Sequence, residues 1–226
     1  MTHIPNISLI TVRNLSAHAE YGNGALFQGV SFELNPGESL AITAPEGGGK
    51  SHLLRLLAGL ETPSAGEILL DGRPIASIAE PIRARRLGVV FSQPWEQFIA
   101  HDPWREVAMG VLAQGVESEA LKQRVTQALQ QTPLPQSLWR APLERLSHGQ
   151  AYWVMFAAAL AMQPALLLLD EPGALLSETG EAHLVDLLHA QPQMARIVFT
   201  SRAARAQRMA AKHLSLGEGL GETNVK

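Results

Sequence analysis

The sequence contains no cysteine and few aromatic or charged residues. Of its 226 residues, 5% are aromatic and 17% are charged, against a usual charged fraction of about 25%. The absence of cysteine excludes a disulfide-stabilised fold, a thiolate zinc site and a cysteine nucleophile. The formal net charge of -3 provides no basic surface of the kind that binds nucleic acid, so we expect no nucleic-acid partner.

Residues 151–169 contain no charge and are almost entirely apolar. A membrane-spanning helix needs roughly 20 such residues in succession, whereas Gln163 and Pro164 interrupt this run. We therefore expect a buried helix, a break, and a buried strand that ends at Asp170. Residues 1–6 have neither the basic start nor the apolar core of a signal peptide, which predicts a protein made and kept in the cytosol.

Apolar strands and helices alternate at both ends of the chain. Strands are predicted at residues 7–12, 31–34, 39–43, 68–70, 87–91, 166–170 and 197–200, with a last one near Leu214. Helices are predicted from residue 50 to 59, over 104–113 and 119–130, after Gln150, and around 181–188 and 203–211. This order is typical of one α/β domain whose parallel sheet carries a helical subdomain.

A glycine-rich segment follows the third predicted strand. Its residues are Ala44, Pro45, Glu46, Gly47, Gly48, Gly49, Lys50 and Ser51. Such a turn directs backbone N–H groups at an anion, and glycine permits the positive φ angles and the close approach to phosphate. Lys50 is expected to bridge the β- and γ-phosphates and Ser51 to ligate Mg²⁺. The strict pattern starts with glycine where this chain has Ala44, and a glycine turn before an ordinary helix is the alternative.

An apolar strand that ends in two carboxylates provides the second half of such a site. Residues 166–169 are four leucines, followed by Asp170 and Glu171. Asp170 is expected to hold the Mg²⁺, and Glu171 to orient or deprotonate an attacking water. The pattern is common by itself, and its weight comes from its pairing with the glycine-rich segment.

The eight histidines form no metal-binding pattern. His183 and His189 share a predicted helix at a spacing that is neither i,i+3 nor i,i+4. His52 directly follows Ser51, so we count it as a candidate contact to phosphate, with a simple role at the helix start as the alternative.

A third motif, Leu-Ser-His-Gly-Gln at residues 146–150, lies between the other two. The order of the three motifs resembles the ATP-binding subunit of ABC transporters, and the resemblance covers nearly the whole chain. It implies an α/β fold with a P-loop NTPase (RecA-like) core, a mainly parallel sheet, an N-terminal antiparallel β subdomain and a helical insert. It also implies ATP and Mg²⁺ as cofactors.

The resemblance predicts a single cassette over residues 1–226. Residues 1–91 and 149–226 would form the nucleotide-binding core with its β subdomain. Residues 92–148 would form the helical subdomain, with the third motif at its end. The cassette uses up the length of the chain, so we expect the protein to need other subunits for its function.

In that family the third motif of one subunit closes over ATP that a second subunit holds. The resemblance therefore directs Ser147, Gly149 and Gln150 towards a partner's ATP, with Ser147 and the Gly149 amide at its γ-phosphate. His148 stands where the family has a glycine. Ser147 is also a good helix N-cap without any nucleotide, and the two roles are compatible.

Two further positions follow from the resemblance. Tyr21 looks like the aromatic residue that stacks on adenine, with ordinary loop packing as the alternative. Gln93 looks like the glutamine that reaches the metal, but it comes one place late, with Ser92 at the usual position. Gln93 is therefore a candidate Mg²⁺ ligand, unless the loop has lost this contact.

Departures from the family pattern cluster on the hydrolytic side of the site. This chain has Ser177 where the family has an aspartate, and Ser201 where the family has a histidine that contacts the γ-phosphate. Serine carries no positive charge and is shorter than an imidazole. We therefore expect Lys50, Glu171 and the degenerate Ser201 to form a catalytic set that binds Mg-ATP and hydrolyses it slowly.

A non-hydrolysing regulatory or structural subunit, paired with a competent ATPase, is the alternative function. Ser177, Ser201 and the shifted Gln93 favour it, whereas Glu171 argues against it. The third motif speaks against a P-loop kinase or GTPase, and no Asn-Lys-x-Asp segment for reading guanine is present in the sequence.

Residues 93–110 partly resemble a segment of energy-coupling-factor and cobalt-type importers, which implies an importer. In the family a helix of the membrane subunit docks beside this segment, so we expect docking near Trp95, Phe98 and Trp104. Trp139 and Trp153 fit the interior of the helical subdomain as well as an interface.

A second ATPase subunit, in a homo- or heterodimer, is the other expected partner. The protein would lie peripherally on the cytoplasmic side of the cell (inner) membrane.

Overall fold

The computed structural model describes residues 8–18 and 25–216, which form two sheets and a set of helices. The strands are β1 (Ile10–His18), β2 (Ala25–Leu34), β3 (Ser39–Thr43), β4 (Ala65–Leu70), β5 (Arg73–Pro74), β6 (Leu87–Val90), β7 (Leu166–Asp170), β8 (Ala195–Thr200) and β9 (Lys212–Ser215). The helices are α1 (Lys50–Leu57), α2 (Glu80–Arg86), α3 (Pro103–Ala113), α4 (Ser118–Gln130), α5 (His148–Ala161), α6 (Glu178–His189) and α7 (Ala203–Met209). Short 3₁₀ turns lie at Ile75–Ser77, Pro94–Glu96, Gln136–Leu138 and Leu143–Arg145.

The parallel sheet positions the candidate site. Its strand order is β6-β7-β8-β3-β9. β3, β7 and β8 end at the same edge, because Thr43 pairs with Thr200 and Asp170 with Phe199 in parallel register. The segments that follow these strands therefore meet at one edge, where open α/β sheets bind their ligands.

The second sheet is antiparallel, in the order β2-β1-β4-β5. The strand predicted at residues 7–12 extends in fact to His18, with a register shift between Val12 and Leu15. Asn14 in this shift has a φ of 46°, and a bulge of this kind interrupts the alternation on which strand prediction depends.

Among the residues that the structure describes, three buried apolar clusters hold the layers together. The first fills the space between the antiparallel sheet, α1 and one face of the parallel sheet, and it includes Leu15, Leu54 and Phe199. The second packs α5 and α6 against the other face of the parallel sheet. The third joins α3, α4 and α5 and includes Val107 and Leu129. The helical segment thus has a core of its own that is continuous with α5.

Helix α5 explains the long apolar run of the sequence. It contributes Tyr152 and Phe156 to the second cluster, and Val154 and Ala157 to the third. Because it is buried on both sides, it is apolar all around, and it ends before Pro164, as predicted. Within residues 8–18 and 25–216, no helix is long and apolar enough to cross a membrane.

The loop before α3 is fixed by two buried carboxylates. Asp102 caps α3, because its Oδ1 accepts a hydrogen bond from the N–H of Arg105 at 2.9 Å. Oε2 of Glu106 accepts hydrogen bonds from the N–H groups of Ile99 at 3.0 Å and Ala100 at 2.8 Å. The path of the segment for which a membrane partner is predicted is therefore defined by α3.

The structure confirms the predicted α/β fold with a mainly parallel sheet, an antiparallel sheet from the N-terminal strands and helices between β6 and β7. The sequence patterns missed α2 and β5. None of the seven residues of α2 is buried, so this helix has no apolar face to recognise. β5 has two residues, which is too short for an alternating pattern.

Candidate nucleotide-binding site

The glycine-rich segment lies between β3 and α1, at the edge where the parallel strands end. Gly47 and Gly49 have φ values of 76° and 81°, in the left-handed region that favours glycine. A Cβ on Gly48 would lie 3.0 Å from the carbonyl oxygen of Pro45. The turn therefore needs glycine at these positions, and it precedes the N-terminus of α1, as an anion-binding loop requires.

Lys50 is the first residue of α1, and its side chain packs against this loop with 7% of its surface exposed. Its Nζ donates hydrogen bonds to the carbonyl oxygens of Ala44 at 2.9 Å and Pro45 at 3.0 Å, and lies 3.6 Å from Oε1 of Glu171. The loop thus holds a buried ammonium group close to its own backbone, where an anion bound by the loop would be within reach.

Asp170 and Ser51 form a second polar pair beside the loop. The Oγ of Ser51 donates to Oδ2 of Asp170 at 3.1 Å. Asp170 is 3% exposed, and Oδ1 has no hydrogen-bond partner among the described residues. Burial raises the pKa of Asp170, while hydrogen bonds from Ser51 and Ser92 lower it. A buried carboxylate with a free oxygen beside a hydroxyl is the donor set that suits Mg²⁺, so these residues fit that ion.

Ser92 and Gln93 take different positions at the end of β6. Ser92 contacts Asp170, whereas Gln93 is exposed. Both line a cavity of about 310 Å³ together with Ser51 and Asp170. The residue at the usual family position therefore contacts the proposed metal ligand, and the shifted glutamine lies at the rim of the same cavity.

Glu171 follows β7 and is fixed by the end of β8. Its backbone has a φ of 44°, a conformation that residues other than glycine rarely adopt. Oε1 accepts a hydrogen bond from the N–H of Ser201 at 2.8 Å. Oε2 accepts one from Oγ1 of Thr200 at 3.0 Å. The carboxylate is therefore held near Lys50, and Ser201 contacts it through its backbone.

Arg205 is a site residue that the sequence patterns missed. It lies on α7, is 4% exposed, and lines the same cavity as Lys50, Asp170 and Glu171. Its Nη1 is 3.8 Å from Oε2 of Glu171. The sequence shows only a basic residue four positions, about one helical turn, after Ser201. Sequence patterns could not identify Arg205 because its partners lie far away in the chain.

A second carboxylate, Glu181, anchors Arg205 from α6. Nη2 of Arg205 donates to Oε2 of Glu181 at 2.9 Å, and Arg208 lies 3.3 Å from Oε1. The hydrogen bond from Arg205 is the main cause that lowers the pKa of Glu181. The carboxylate of Glu181 is therefore charged at neutral pH.

His52 and Tyr21 are the two remaining residues for which a nucleotide contact is predicted. Nδ1 of His52 lies 2.8 Å from Oε2 of Glu61, and its ring is tilted against Phe27 at 6.3 Å between centroids. His52 thus faces the end of α1 and β2 with these partners. Tyr21 lies outside the described residues.

The third motif begins α5 with a capping box. The Oγ of Ser147 accepts from the N–H of Gln150 at 3.2 Å, and Oε1 of Gln150 accepts from the N–H of Ser147 at 2.9 Å. Ser147 is thus a helix N-cap, as its sequence position predicted. Ser147, Gly149 and Gln150 also line a cavity of about 790 Å³ that includes Ser177. Ser177 caps α6 through its hydroxyl.

The tryptophans divide between the interior and the surface. Trp139 and Trp153 are 8% and 4% exposed and belong to the buried clusters. Trp95 and Trp104 are half-buried and pack against the third cluster, and so does Phe98. The guanidinium of Arg140 lies 4.0 Å above the ring of Trp104. Ile99, in the same segment, is 73% exposed.

A family sequence profile and individual relatives both connect this chain to ABC transporter ATP-binding proteins. The sequence profile of the family described as ABC transporter matches residues 27–174. The energy-coupling factor transporter ATP-binding protein EcfA1 of Symbiobacterium thermophilum is 40% identical over 158 residues, which are 70% of this chain and 55% of that protein. BL0043 of Bifidobacterium longum, named as an ABC transporter ATP-binding protein, is 37% identical over 172 residues, which are 74% of this chain and 22% of that protein. The chain therefore spans less than two thirds of the length of either curated relative.

Two solved structures share the fold. The structure of cbiO1 from Clostridium perfringens, described as part of the ABC transporter complex cbiONQ, has a TM-score of 0.80 at 27% identity and covers 92% of this chain and 84% of that chain. The dimeric structure of the ATP-binding cassette MJ0796, bound to ADP and Pi, has a TM-score of 0.84 at 23% identity and covers 92% and 94% of the two chains. This second likeness supports the fold alone.

Proposed function

The chain belongs to the ABC transporter family of ATP-binding proteins, and from this premise we propose that it is the ATPase subunit of an importer and that its own site hydrolyses ATP slowly. The observation that carries the proposal is the meeting of the two motifs at one sheet edge. Lys50, Ser51, Asp170 and Glu171 line a common cavity, although their two segments are far apart in sequence.

Each of these residues has a role that its contacts support. Lys50 would bind the β- and γ-phosphates, with the backbone N–H groups of residues 46–51 around them. Ser51 and Asp170 would hold Mg²⁺, with Gln93 as a further candidate at the rim. The ion supplies positive charge that offsets the charge of the phosphates. Glu171 would orient an attacking water or accept its proton.

Slow hydrolysis follows from the residue at the end of β8. Ser201 contacts Glu171 through its backbone N–H, and its side chain offers a hydroxyl where the family has an imidazole. The loss of one donor to the charge that develops in the transition state can lower a rate by about 10²–10³. The change therefore acts on turnover and leaves the binding loop intact.

The third motif would serve a second ATPase subunit. Ser147, Gly149 and Gln150 lie at an open cavity on the surface, together with Ser177. In this arrangement a partner's ATP would add contacts to the closed dimer, which shifts the population towards it. We treat residues 1–226 as one cassette, with 92–148 as the helical subdomain and 1–91 and 149–226 as the core.

The membrane partner would dock at the segment from the end of β6 into the first turn of α3. EcfA1, a relative at 40% identity, is named as an energy-coupling factor transporter ATP-binding protein, which supports an importer. Trp95, Phe98 and Trp104 are half-buried there, and the exposed Ile99 lies between them. The protein would then lie peripherally on the cytoplasmic side of the membrane.

A non-hydrolysing subunit, for which ATP is a ligand only, is the second candidate function. The serines at positions 177 and 201 favour it. The position of the Glu171 carboxylate, 3.6 Å from Lys50 Nζ, favours the ATPase instead.

The two candidates differ in a direct experiment. Binding of a fluorescent ATP analogue, with and without Mg²⁺, is measured for the wild type, for Lys50→Ala and for the control Lys122→Ala, whose side chain is 66% exposed on α4. We expect Mg²⁺-dependent binding that Lys50→Ala abolishes and the control retains. Binding that is unchanged in Lys50→Ala would contradict the site. Turnover that Glu171→Gln abolishes supports the ATPase, and binding without any turnover supports the ligand-only subunit.

A further inference from the structure

Arg205 is a buried cation next to Glu171 that the proposed mechanism does not use. Its side chain is 4% exposed, and Nη1 lies 3.8 Å from Oε2 of Glu171. Nη2 donates to Oε2 of Glu181 at 2.9 Å. Nε has no hydrogen-bond partner among the described residues. The guanidinium thus connects the carboxylate after β7 with a carboxylate on α6.

Glu181 is itself fixed at this place. Arg208 lies 3.3 Å from its other oxygen, and a Cβ on Gly173 would lie 3.0 Å from its Cγ. Gly173 belongs to the turn that follows Glu171. Glu181 therefore packs against this turn and pairs with the buried Arg205 and with Arg208, which is 49% exposed.

The arrangement is costly for a purely structural ion pair. A buried guanidinium is tolerated when each of its N–H groups has a hydrogen-bond acceptor. A buried N–H group without an acceptor destabilises the folded state. Glu181 gives Arg205 one close ion pair, and it shares its other oxygen with the half-exposed Arg208. The second contact, to Glu171, and the free Nε place unused donor capacity at the candidate site, where such exceptions occur for functional reasons.

Lys50 and Arg205, two cations near Glu171, would respond differently to a bound nucleotide. Lys50 contacts Oε1 of Glu171 from the binding loop, and in the proposed function it turns to the phosphates. Arg205 lies 3.8 Å from Oε2 with a side chain that is 4% exposed, and it is hydrogen-bonded to Glu181. If phosphates engaged Lys50, Arg205 would be the cation left beside the Glu171 carboxylate.

We propose that Arg205, anchored by Glu181, is a positioning residue that orients the Glu171 carboxylate for hydrolysis in a site where Ser201 provides no charge. This inference rests on the proposed function, because it assigns Glu171 a role in turnover. The contact itself exists without nucleotide, so it can be tested independently of turnover.

The first test is a double-mutant cycle in urea on the nucleotide-free protein. The variants are Arg205→Met, Glu171→Gln and their combination, with Arg208→Met and its combination with Glu171→Gln as the matched control. We expect a coupling of about fivefold or more in the unfolding constant for positions 205 and 171, and less than about twofold for positions 208 and 171. Equal coupling in both cycles would overturn the proposal. If Arg205→Met does not fold, Arg205→Lys and Glu181→Gln replace it in the same cycle.

The second test is single-turnover hydrolysis with protein in excess over ATP. We expect Arg205→Met to lower the rate at least about tenfold while the affinity for the fluorescent ATP analogue changes less than about twofold, and Arg205→Lys to recover part of the rate. Arg208→Met should leave the rate unchanged. An unchanged rate in Arg205→Met, or an equal loss in Arg208→Met, would overturn the proposal. A wild type that binds ATP and does not hydrolyse it would instead refute the slow ATPase, and the urea cycle alone would then decide whether Arg205 holds Glu171.

Discussion

The indole N–H of Trp95 donates a hydrogen bond to Nδ1 of His148 at 3.1 Å, with the two rings perpendicular. Because Nδ1 accepts this bond, the proton of the neutral ring is on Nε2. Trp95 belongs to the segment after β6, and His148 is the first residue of α5. The bond therefore joins the proposed membrane-docking segment to the motif proposed to meet a partner's ATP.

Replacing Trp95 with phenylalanine removes the donor and keeps an aromatic ring. We expect the ring of His148 to lose its fixed tautomer, which the ¹³C and ¹⁵N shifts of a histidine-labelled sample report. Stability should fall by no more than about 1 kcal/mol, because the bond is exposed. The same Nε2–H tautomer in Trp95→Phe and in the wild type would show that another contact sets it.

Replacing Asp170 with asparagine should stabilise the nucleotide-free protein. The carboxylate is 3% exposed with an unpartnered oxygen among the described residues, and burial raises its pKa, which means that the folded state disfavours the charge. A neutral amide should raise the free energy of unfolding by about 1–2 kcal/mol. Urea unfolding measures this gain.

The same variant should lose its response to Mg²⁺. ATP with Mg²⁺ should raise the midpoint of thermal unfolding of the wild type more than ATP with EDTA does, whereas the two should be equal in Asp170→Asn. A variant that is less stable without nucleotide and still responds to Mg²⁺ would contradict the role of Asp170 as a metal ligand.

Replacing Glu106 with alanine should destabilise the helical segment. Its buried carboxylate accepts two backbone N–H groups of residues 99 and 100, and their loss should cost about 2–4 kcal/mol. Hydrogen exchange should show faster exchange of these two amides first. Glu119→Ala on the exposed face of α4 is the control and should change stability by less than about 0.5 kcal/mol.

An aspartate at position 99 should act differently from one at position 104. Ile99 is 73% exposed, so Ile99→Asp should leave folding and ATP binding unchanged and release the membrane subunit in a co-purification assay. Trp104 packs on the third cluster and under Arg140, so Trp104→Asp should lower the free energy of unfolding by about 2–4 kcal/mol. Equal stability of the two variants would show that Trp104 is free for an interface.

The sequence predicted those parts of the site that depend on residues close together in the chain. The glycines before Lys50 and the leucines before Asp170 define a loop and a strand within a few residues, and parallel pairing then brings them together. The same reasoning located β9 near Leu214. Local patterns suffice here because backbone geometry follows from neighbouring residues.

The parts that sequence did not predict depend on distant partners. Arg205 becomes a site residue only through Glu171 and Glu181, which lie on other elements. The hydrogen bond from Trp95 to His148 also joins two distant segments, and the place of Trp95 beside a polar loop predicted a docking role without this partner. Side-chain partners of this kind are set by tertiary packing, which no local pattern contains.

The most direct test of a site that binds Mg-ATP and hydrolyses it slowly is single-turnover hydrolysis by the wild type and by Ser201→His. Ser201 is exposed and lines the cavity with Lys50 and Glu171, so the ring has room. We predict a wild-type rate well below about 1 s⁻¹ and an increase of at least about tenfold in Ser201→His, with unchanged ATP affinity. A wild type that already turns over at about 1 s⁻¹ or faster, with no gain in Ser201→His, would contradict this account.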